Sequence, residues 1–193
     1  MATPRFDEID EGSSNVISDE ETLGMLRANA RRPIRYDDAD GLGINNHEAI
    51  ERLVNSGSME SFVSKIDGKE EKWLMLPNKS ISIEHEVSVR IISELLTLRG
   101  IDNLVIDNSN GPDISTRING KRVAIEYETG SKSFQSTTNM IGLRLKDYEG
   151  IIMFTNRHSF DYYKRSFASG MVHIASLDGP GSIDQAIGAL QDL

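Results

Sequence analysis

Residues 111–130 read GPDISTRINGKRVAIEYETG, and this stretch predicts the centre of the fold. Its Asn119-Gly120 pair marks a tight hairpin that joins two strands. One strand begins near Asp113, and the other carries Glu126 in its middle. The hairpin therefore predicts two carboxylates side by side at one edge of a sheet, an arrangement that suits a hard divalent cation.

The second strand of this hairpin alternates acidic and apolar residues. Because side chains point to opposite faces in turn along a strand, Glu126 and Glu128 share one face, while Ile125 and Tyr127 share the other. The acids are thus expected to gather on one side, sealed from behind by apolar residues.

Composition sets the broad class of the protein. The chain has 193 residues, of which 38% are hydrophobic and 26% are charged, as in ordinary globular proteins. It has no cysteine, which excludes disulfides, thiolate zinc sites and a cysteine nucleophile. No apolar run approaches the roughly 20 residues of a membrane helix, and the N-terminus lacks the layout of a secretory signal. These features predict a cytoplasmic protein with no membrane partner.

The net charge of -9 argues at first against nucleic-acid binding, because phosphate contacts need Lys and Arg. The acidic residues are unevenly spread, however. Residues 1–26 hold seven acids against one basic residue, Arg5, so the remainder is nearly balanced and can carry local basic surfaces. Basic residues cluster at Arg31, Arg32 and Arg35 and again among the last fifty residues.

Three regions are expected along the chain: an acidic flexible tail over 1–17, a small module over 18–80 and a larger domain over 81–193. In the module, a capping signal at Ser18 opens a first helix, and a short second helix is expected over 36–39. Asn45 or Asn46 caps a third helix, and alternating segments around Asp67-Gly68 predict a hairpin. Three helices and a hairpin indicate a winged helix.

Residues 23–76, LGMLRANARRPIRYDDADGLGINNHEAIERLVNSGSMESFVSKIDGKEEKWLML, resemble a winged helix-turn-helix domain of archaeal or bacterial regulators. In that resemblance the third helix reads a major groove and the wing lies near phosphates. The residues it implies for DNA contact are Asn45, Asn46, His47, Arg52, Lys65, Lys69 and Lys72. Since Glu48 and Glu51 share the third helix, a dimerisation or protein-docking role stays open for this module.

The larger domain has the predicted order αβββαβαβα. Helices are expected over 83–98, 136–145, 159–167 and 183–190, and strands over 104–107, 113–118, 122–128, 151–154 and 172–175. This order, with HEVSVRIISELLTLRG, GPDI and VAIEYETGSK in these places, resembles the PD-(D/E)xK nuclease superfamily, which includes archaeal Holliday junction resolvases and many restriction enzymes. The predicted fold class is therefore α/β, an α+β winged helix followed by a restriction-endonuclease-like domain with a mixed sheet.

The resemblance implies a catalytic centre that binds Mg²⁺ or Mn²⁺. Asp113 and Glu126 match the two acids that hold the metal in such nucleases. A Glu on the first helix often joins them, and Glu86 fits that position best, with Glu84 as the second choice. Such a centre orients a water for attack on a phosphodiester and offsets charge on the leaving oxygen.

This chain departs from the family pattern where a Lys usually follows the second acid by two residues, because Glu128 stands there. Three interpretations stay open: Glu128 assists the attacking water, Lys132 swings back to supply the positive charge, or catalysis is lost. Gln135 resembles a polar residue that contacts DNA or water at the start of the next helix in some relatives. A purely structural alternative also exists, in which Glu126 and Glu128 form the solvated face of an edge strand.

The leading functional hypothesis is a metal-dependent DNA endonuclease whose winged helix positions the substrate. A homodimer is expected, because cutting both strands with one site per chain usually requires two chains. Two alternatives are an inactive DNA-binding regulator that uses the larger domain for dimerisation, and a module that contacts protein rather than nucleic acid.

Overall fold

The computed structural model of the chain describes residues 17–30, 32–66, 69–107, 111–179 and 181–191. The predicted tail, except for Ile17, and the predicted turn at Asp67-Gly68 lie outside these residues. Among the helices described, none is both long and apolar enough to cross a membrane.

The N-terminal half combines two α-helices with a small antiparallel sheet. Ser18 and Glu21 form a reciprocal capping box at the start of the first helix, as the sequence predicts. The short second helix expected over 36–39 is present as a 3₁₀ turn, and a second 3₁₀ turn follows it and ends at Gly43, which has a φ of 77°. The elements are α1 (Asp19–Asn29), β1 (Ile34–Arg35), the 3₁₀ turns Tyr36–Asp38 and Asp40–Leu42, α2 (His47–Asn55), β2 (Glu60–Ile66) and β3 (Lys69–Met75), with the sheet order β1-β3-β2.

The C-terminal half is built on a five-stranded mixed sheet of order β4-β5-β6-β7-β8. The β4, β5 and β6 strands are antiparallel, whereas β6, β7 and β8 are parallel. The predicted mixed α/β class is confirmed, and every predicted element of this half is present. The elements are α3 (Ile83–Thr97), β4 (Val105–Ile106), β5 (Ile114–Ile118), β6 (Lys121–Glu128), α4 (Phe134–Asp147), β7 (Gly150–Thr155), α5 (Arg157–Phe167), β8 (Val172–Ser176) and α6 (Ser182–Gln191).

Both faces of this sheet are covered. On one face, Ile125 and Tyr127 of β6 pack with apolar residues of α3 and α6. On the other face, Ala124 packs with Ile151 of β7 and against Ile141 of α4. The β6 strand is consequently the middle strand of a sheet buried on both sides, so the acids that it carries enter the protein interior.

The β2–β3 hairpin packs against helix α3. Trp73 is fully buried in a cluster with Ile83 and Val87 of α3. The guanidinium groups of Arg35 and Arg90 lie 4.6 and 5.5 Å from the centre of the Trp73 ring, within the range of cation–π attraction. This shared core spans the predicted boundary near residue 80 and fixes the hairpin beside the first turn of α3.

Candidate active site

Asp113 lies directly before strand β5, opposite the acidic end of β6. The register pairs Ile114 with Ile125, which places Asp113 beside Glu126. The Asp113 Oδ2 atom accepts a 2.7 Å hydrogen bond from the backbone N–H of Tyr127 and lies 3.2 Å from His85 Nε2. The main chain of β6 therefore fixes the orientation of this carboxylate, and the first turn of α3 brings an imidazole to it.

Glu126 is buried, with 3% of its surface exposed, and it faces helix α4. Its Oε1 atom accepts a 2.5 Å hydrogen bond from Arg144 Nε. The same guanidinium donates to the carbonyl oxygen of Gly111, which lies two residues before Asp113. Arg144 thus joins the two acidic strands from the α4 side.

Glu128 ends the same strand and is equally buried. Its Oε1 atom accepts a hydrogen bond from Lys132 Nζ, so the lysine does return to the acids across the short loop. Gly130 in this loop has a φ of 87°, and a Cβ atom there would lie 2.3 Å from Ser159 Oγ. Any other residue at position 130 would be strained by this φ and would contact Ser159 too closely. The loop geometry that returns Lys132 to Glu128 therefore depends on glycine at this position.

Burial and crowding change the protonation of this cluster. Burial, assisted by the negative charge of Asp113 and opposed by Arg144, raises the pKa of Glu126 from 4.5 to about 7. Burial also raises the pKa of Glu128, although Lys132 opposes the shift. For His85, burial alone would lower the pKa, but the hydrogen bond and charge of Asp113 outweigh it and the pKa rises.

The two glutamates of α3 occupy different positions. Glu86 lines a cleft of about 330 Å³ together with Asp113 and His85. Glu84 instead accepts hydrogen bonds of 2.9 Å from the Tyr127 hydroxyl and 3.3 Å from Asn156 Nδ2. Of the two predicted candidates, Glu86 is therefore the one that lies beside Asp113.

The described residues contain no group of three or more His, Asp or Glu side chains placed to hold a metal ion together. The structure brings together Asp113 and Glu126, and it leaves Glu86 in the adjoining cleft rather than in one convergent set.

A second cleft, of about 320 Å³, lies beside the first. It is lined by Glu128 and Lys132, whereas Ser80, Ile81 and His85 line both clefts. The segment between the hairpin and α3 therefore borders the approach to Asp113 from one side and to Glu128 from the other.

Three buried hydroxyl groups lie on the face of the sheet that carries the acids, and the sequence patterns do not predict them. Thr155 of β7 is paired in register with Glu128 of β6. Burial, and then the charge of Glu128, raise the pKa of Tyr163 on α5. The Thr137 hydroxyl on α4 opposes this shift, and the Thr155 hydroxyl has no hydrogen-bond partner among the described residues. The surroundings of Glu128 are thus polar as well as buried.

Arg144 is a further residue that sequence reasoning does not connect with the site. Its signal is the helical period of α4, because Arg144 follows the buried Thr137 by seven residues and the packed Ile141 by three. Both spacings place Arg144 on the face of α4 that contacts the sheet.

Two of the residues predicted to contact DNA from the third helix make contacts within the protein. Asn46 caps α2, since its side chain accepts a 3.0 Å hydrogen bond from the Ala49 N–H and donates to the Ile17 carbonyl. His47 stacks on Tyr36 and lies 3.2 Å from an Asp40 oxygen. Asn45 is exposed.

The basic side chains predicted to contact DNA are each paired with a carboxylate of the same chain. Arg52 forms two hydrogen bonds with Asp19, of 3.0 and 2.6 Å. On the hairpin the pairs are Lys65 with Glu70, Lys69 with Glu71 and Lys72 with Glu51, at 3.0, 2.7 and 2.5 Å. Gln135 at the start of α4 is exposed and donates to Asn139 of the same helix. The positive charge of the hairpin is therefore locally offset.

The candidate active site is thus a set of carboxylates, Asp113 directly before β5 and the buried Glu126 and Glu128 on β6, each matched with a basic side chain of the same chain. Comparisons of the chain with protein-family models, with curated proteins and with solved structures found no match.

Proposed function

We propose that this protein is a divalent-metal-dependent DNA endonuclease. The observation that carries the proposal is the juxtaposition of Asp113, directly before β5, with Glu126 on the adjacent strand β6, where Glu128 ends the strand and Lys132 returns to it. Acidic side chains that have no function are rarely buried on a central strand, because ionised groups lose hydration there. Function gives such a cluster a reason to exist.

The donor set fits a small hard cation. Mg²⁺ prefers oxygen ligands, keeps several waters and needs only one or two protein carboxylates. Asp113 Oδ2 is engaged by Tyr127 and His85, while its Oδ1 atom makes no hydrogen bond with the described residues. Asp113 and Glu126 would hold Mg²⁺ or Mn²⁺, and Glu86 would approach from the adjoining cleft. When bound, the metal would supply Lewis-acid activation of the phosphodiester and of water.

The remaining residues of the cluster have distinct roles in this proposal. Glu128, buried at the end of β6, accepts a proton from the attacking water. Lys132, which reaches the same carboxylate, offsets negative charge on the phosphate. The N-terminal half, with the helix, strand, helix and hairpin order of a winged helix, orients the DNA, and two copies of the chain cut the two strands.

One observation favours a second candidate function. Arg144 and Lys132 already neutralise Glu126 and Glu128, so the cluster is electrostatically satisfied without a cation. In this alternative the larger half is catalytically inactive, and the protein binds DNA as a regulator of transcription or replication.

The test is cleavage of a labelled panel of linear duplex, single-stranded, branched and supercoiled DNA with Mg²⁺ or Mn²⁺. The wild type is compared with Glu128→Gln and Lys132→Ala, and with Lys146→Ala as a matched control on the exposed surface of α4. The nuclease proposal predicts metal-dependent cutting that both cluster variants reduce and the control retains. Binding to DNA without cutting under any of these conditions would support the regulator instead.

A further inference from the structure

Helices α4 and α5 present exposed aromatic rings close to the candidate active site. Phe134 at the start of α4 is 54% exposed and Tyr162 of α5 is 45% exposed. Phe134 stacks on Phe167 with ring centres 5.1 Å apart and an interplanar angle of 25°. Tyr162 packs edge-on against the same Phe167. These three rings form a supported aromatic surface that is open to solvent.

Basic residues lie beside these rings. On α5, Arg165 follows Tyr162 by three residues and His158 precedes it by four, so all three share one exposed helix face. Lys164 lies at the side of this face, with its ammonium 5.2 Å from the centre of the Phe160 ring. We use the term α4–α5 aromatic face for Phe134, Tyr162 and Phe167 together with Lys164 and Arg165.

The charges of this face differ from those of the β2–β3 hairpin. Each predicted lysine of the hairpin is paired with a carboxylate. By contrast, within the described part of the chain, Lys164 and Arg165 have no carboxylate partner. In a chain with a net charge of -9, a helix with two such cations is a local positive surface.

The face is also continuous with the candidate active site. Phe134 follows Lys132 by two residues, and Asn156, which caps α5, donates a 3.2 Å hydrogen bond to the Thr129 carbonyl. Ser159 of α5 lies against Gly130 of the same loop. A strand that crosses the face would therefore lead directly to Glu128 and Lys132.

We propose that the α4–α5 aromatic face binds single-stranded nucleic acid, with unstacked bases on Phe134 and Tyr162 and phosphates on Lys164 and Arg165. Exposed rings beside unpaired cations are the features by which proteins bind single strands, because every base has a face that can stack. Duplex DNA keeps its bases stacked internally and cannot use the rings. This inference rests on the proposed nuclease function only in that it names the class of substrate, which is DNA with a single-stranded segment beside the duplex that the two copies would cut.

Binding is measured by fluorescence anisotropy in EDTA, so that no cleavage is required. The probes are labelled oligo(dT) and oligo(rU) of about 20 nucleotides and a duplex of equal length. We expect the wild type to bind oligo(dT) more tightly than the duplex, and the Phe134→Ala/Tyr162→Ala variant to weaken that binding by about tenfold or more. Equal binding of oligo(rU) would assign the face to single strands in general, whereas weaker binding would restrict it to DNA.

Three further variants separate the contribution of ring stacking from those of apolar contact and of positive charge. Tyr162→Phe keeps the ring and should keep the affinity, whereas Phe134→Leu keeps apolar surface without a π-face and should weaken binding as alanine does. Lys164→Ala/Arg165→Ala should reduce the slope of log affinity against log salt by about 1.4, from about 0.7 for each single-strand phosphate contact. The matched control, Arg117→Ala/Lys146→Ala at two exposed positions outside the face, should bind oligo(dT) as the wild type does.

Three outcomes would overturn the inference: oligo(dT) binding no tighter than duplex binding, loss of binding in the control variant alone, or unchanged affinity when both rings are removed. If removing the rings converts a dimer into a monomer by light scattering and leaves affinity unchanged, the face is a contact between copies of the chain. A result that rejects the proposed nuclease function differs from all of these. Binding that depends on the rings, with no cleavage in Mn²⁺, would retain the face and reject the nuclease.

Discussion

Arg144 of helix α4 donates a 2.5 Å hydrogen bond to the buried carboxylate of Glu126 on the middle strand of the sheet. Two acids on one face of a strand repel each other unless a positive charge lies near them. In this structure Arg144 and Lys132 supply that charge from the protein itself. The pairing explains how the acids are tolerated in the interior, and it also means that a metal ion would compete with Arg144 for Glu126.

Arg144→Met should destabilise the protein strongly. The substitution leaves Glu126 buried without its partner, and breaking a buried ion pair in this way costs about 3 kcal/mol or more of the free energy of unfolding. The double variant Arg144→Met/Glu126→Leu removes both charges and should recover much of that loss. Urea denaturation of the wild type and the two variants measures the difference. A single variant as stable as the wild type would contradict the proposed importance of this pair.

Stability should depend on pH in a specific direction because burial raises the pKa of Glu126 from 4.5 to about 7. Between these values the folded protein keeps a proton that the unfolded chain releases. The contribution of Glu126 is therefore fully present below pH 4.5 and is lost as the pH rises past 7, by on the order of 3 kcal/mol. Because other groups titrate as well, the quantity to compare is the difference in free energy of unfolding between the wild type and Glu126→Gln. A difference that does not change with pH would contradict the raised pKa.

Gly130 should be difficult to replace, whereas Gly142 should not. Gly130→Ala forces a side chain into a left-handed backbone and against Ser159, so we expect a loss of about 2 kcal/mol. Gly142 lies in α4 with open space around it, and Gly142→Ala should gain about 0.5 kcal/mol from helix propensity. Denaturant unfolding of both variants provides a matched pair. Equal effects of the two substitutions would show that the loop adapts to a side chain at residue 130.

Mn²⁺ should stabilise the folded protein through Asp113. At a concentration about ten times Kd, binding to the folded state alone adds about 1.4 kcal/mol, or roughly 4 °C in Tm for a protein of this size. Asp113→Asn should remove the shift, while Asp161→Asn, a neutralisation on the exposed surface of α5, should retain it. Thermal unfolding with Mn²⁺ and with EDTA measures this directly. Shifts that are equal in all three proteins would indicate nonspecific binding of the ion.

Much of the fold follows from local signals in the sequence. The Asn119-Gly120 turn and the alternation around Glu126 place β5 and β6 correctly, because turn chemistry and a period of two are properties of neighbouring residues. The alternative of an edge strand with solvated acids is wrong, since β6 is the middle strand and Glu126 and Glu128 are buried. Short-range alternation does not distinguish a solvated face from an interior face that carries buried charges.

The partners of the acids depend on contacts between distant parts of the chain. Arg144 lies 18 residues beyond Glu126, and only the packing of α4 on the sheet brings them together. The contact of Trp73 with α3 similarly joins two regions that the sequence presents as separate modules. Lys132 is the exception, because its return to Glu128 spans only four residues and is one of the alternatives that the sequence itself indicates.

The most direct test of the central claim is the initial rate of supercoiled plasmid cleavage as a function of Mn²⁺ concentration, for the wild type and for Asp113→Asn purified in parallel. The claim that Asp113 and Glu126 form a metal-dependent nuclease site predicts a rate that rises with Mn²⁺ and then saturates. It also predicts that Asp113→Asn lowers the rate by at least about a hundredfold, as expected when a transition-state interaction of a few kcal/mol is lost. Equal rates in the two preparations, or no cleavage at any Mn²⁺ concentration by a wild type that binds DNA, would contradict it.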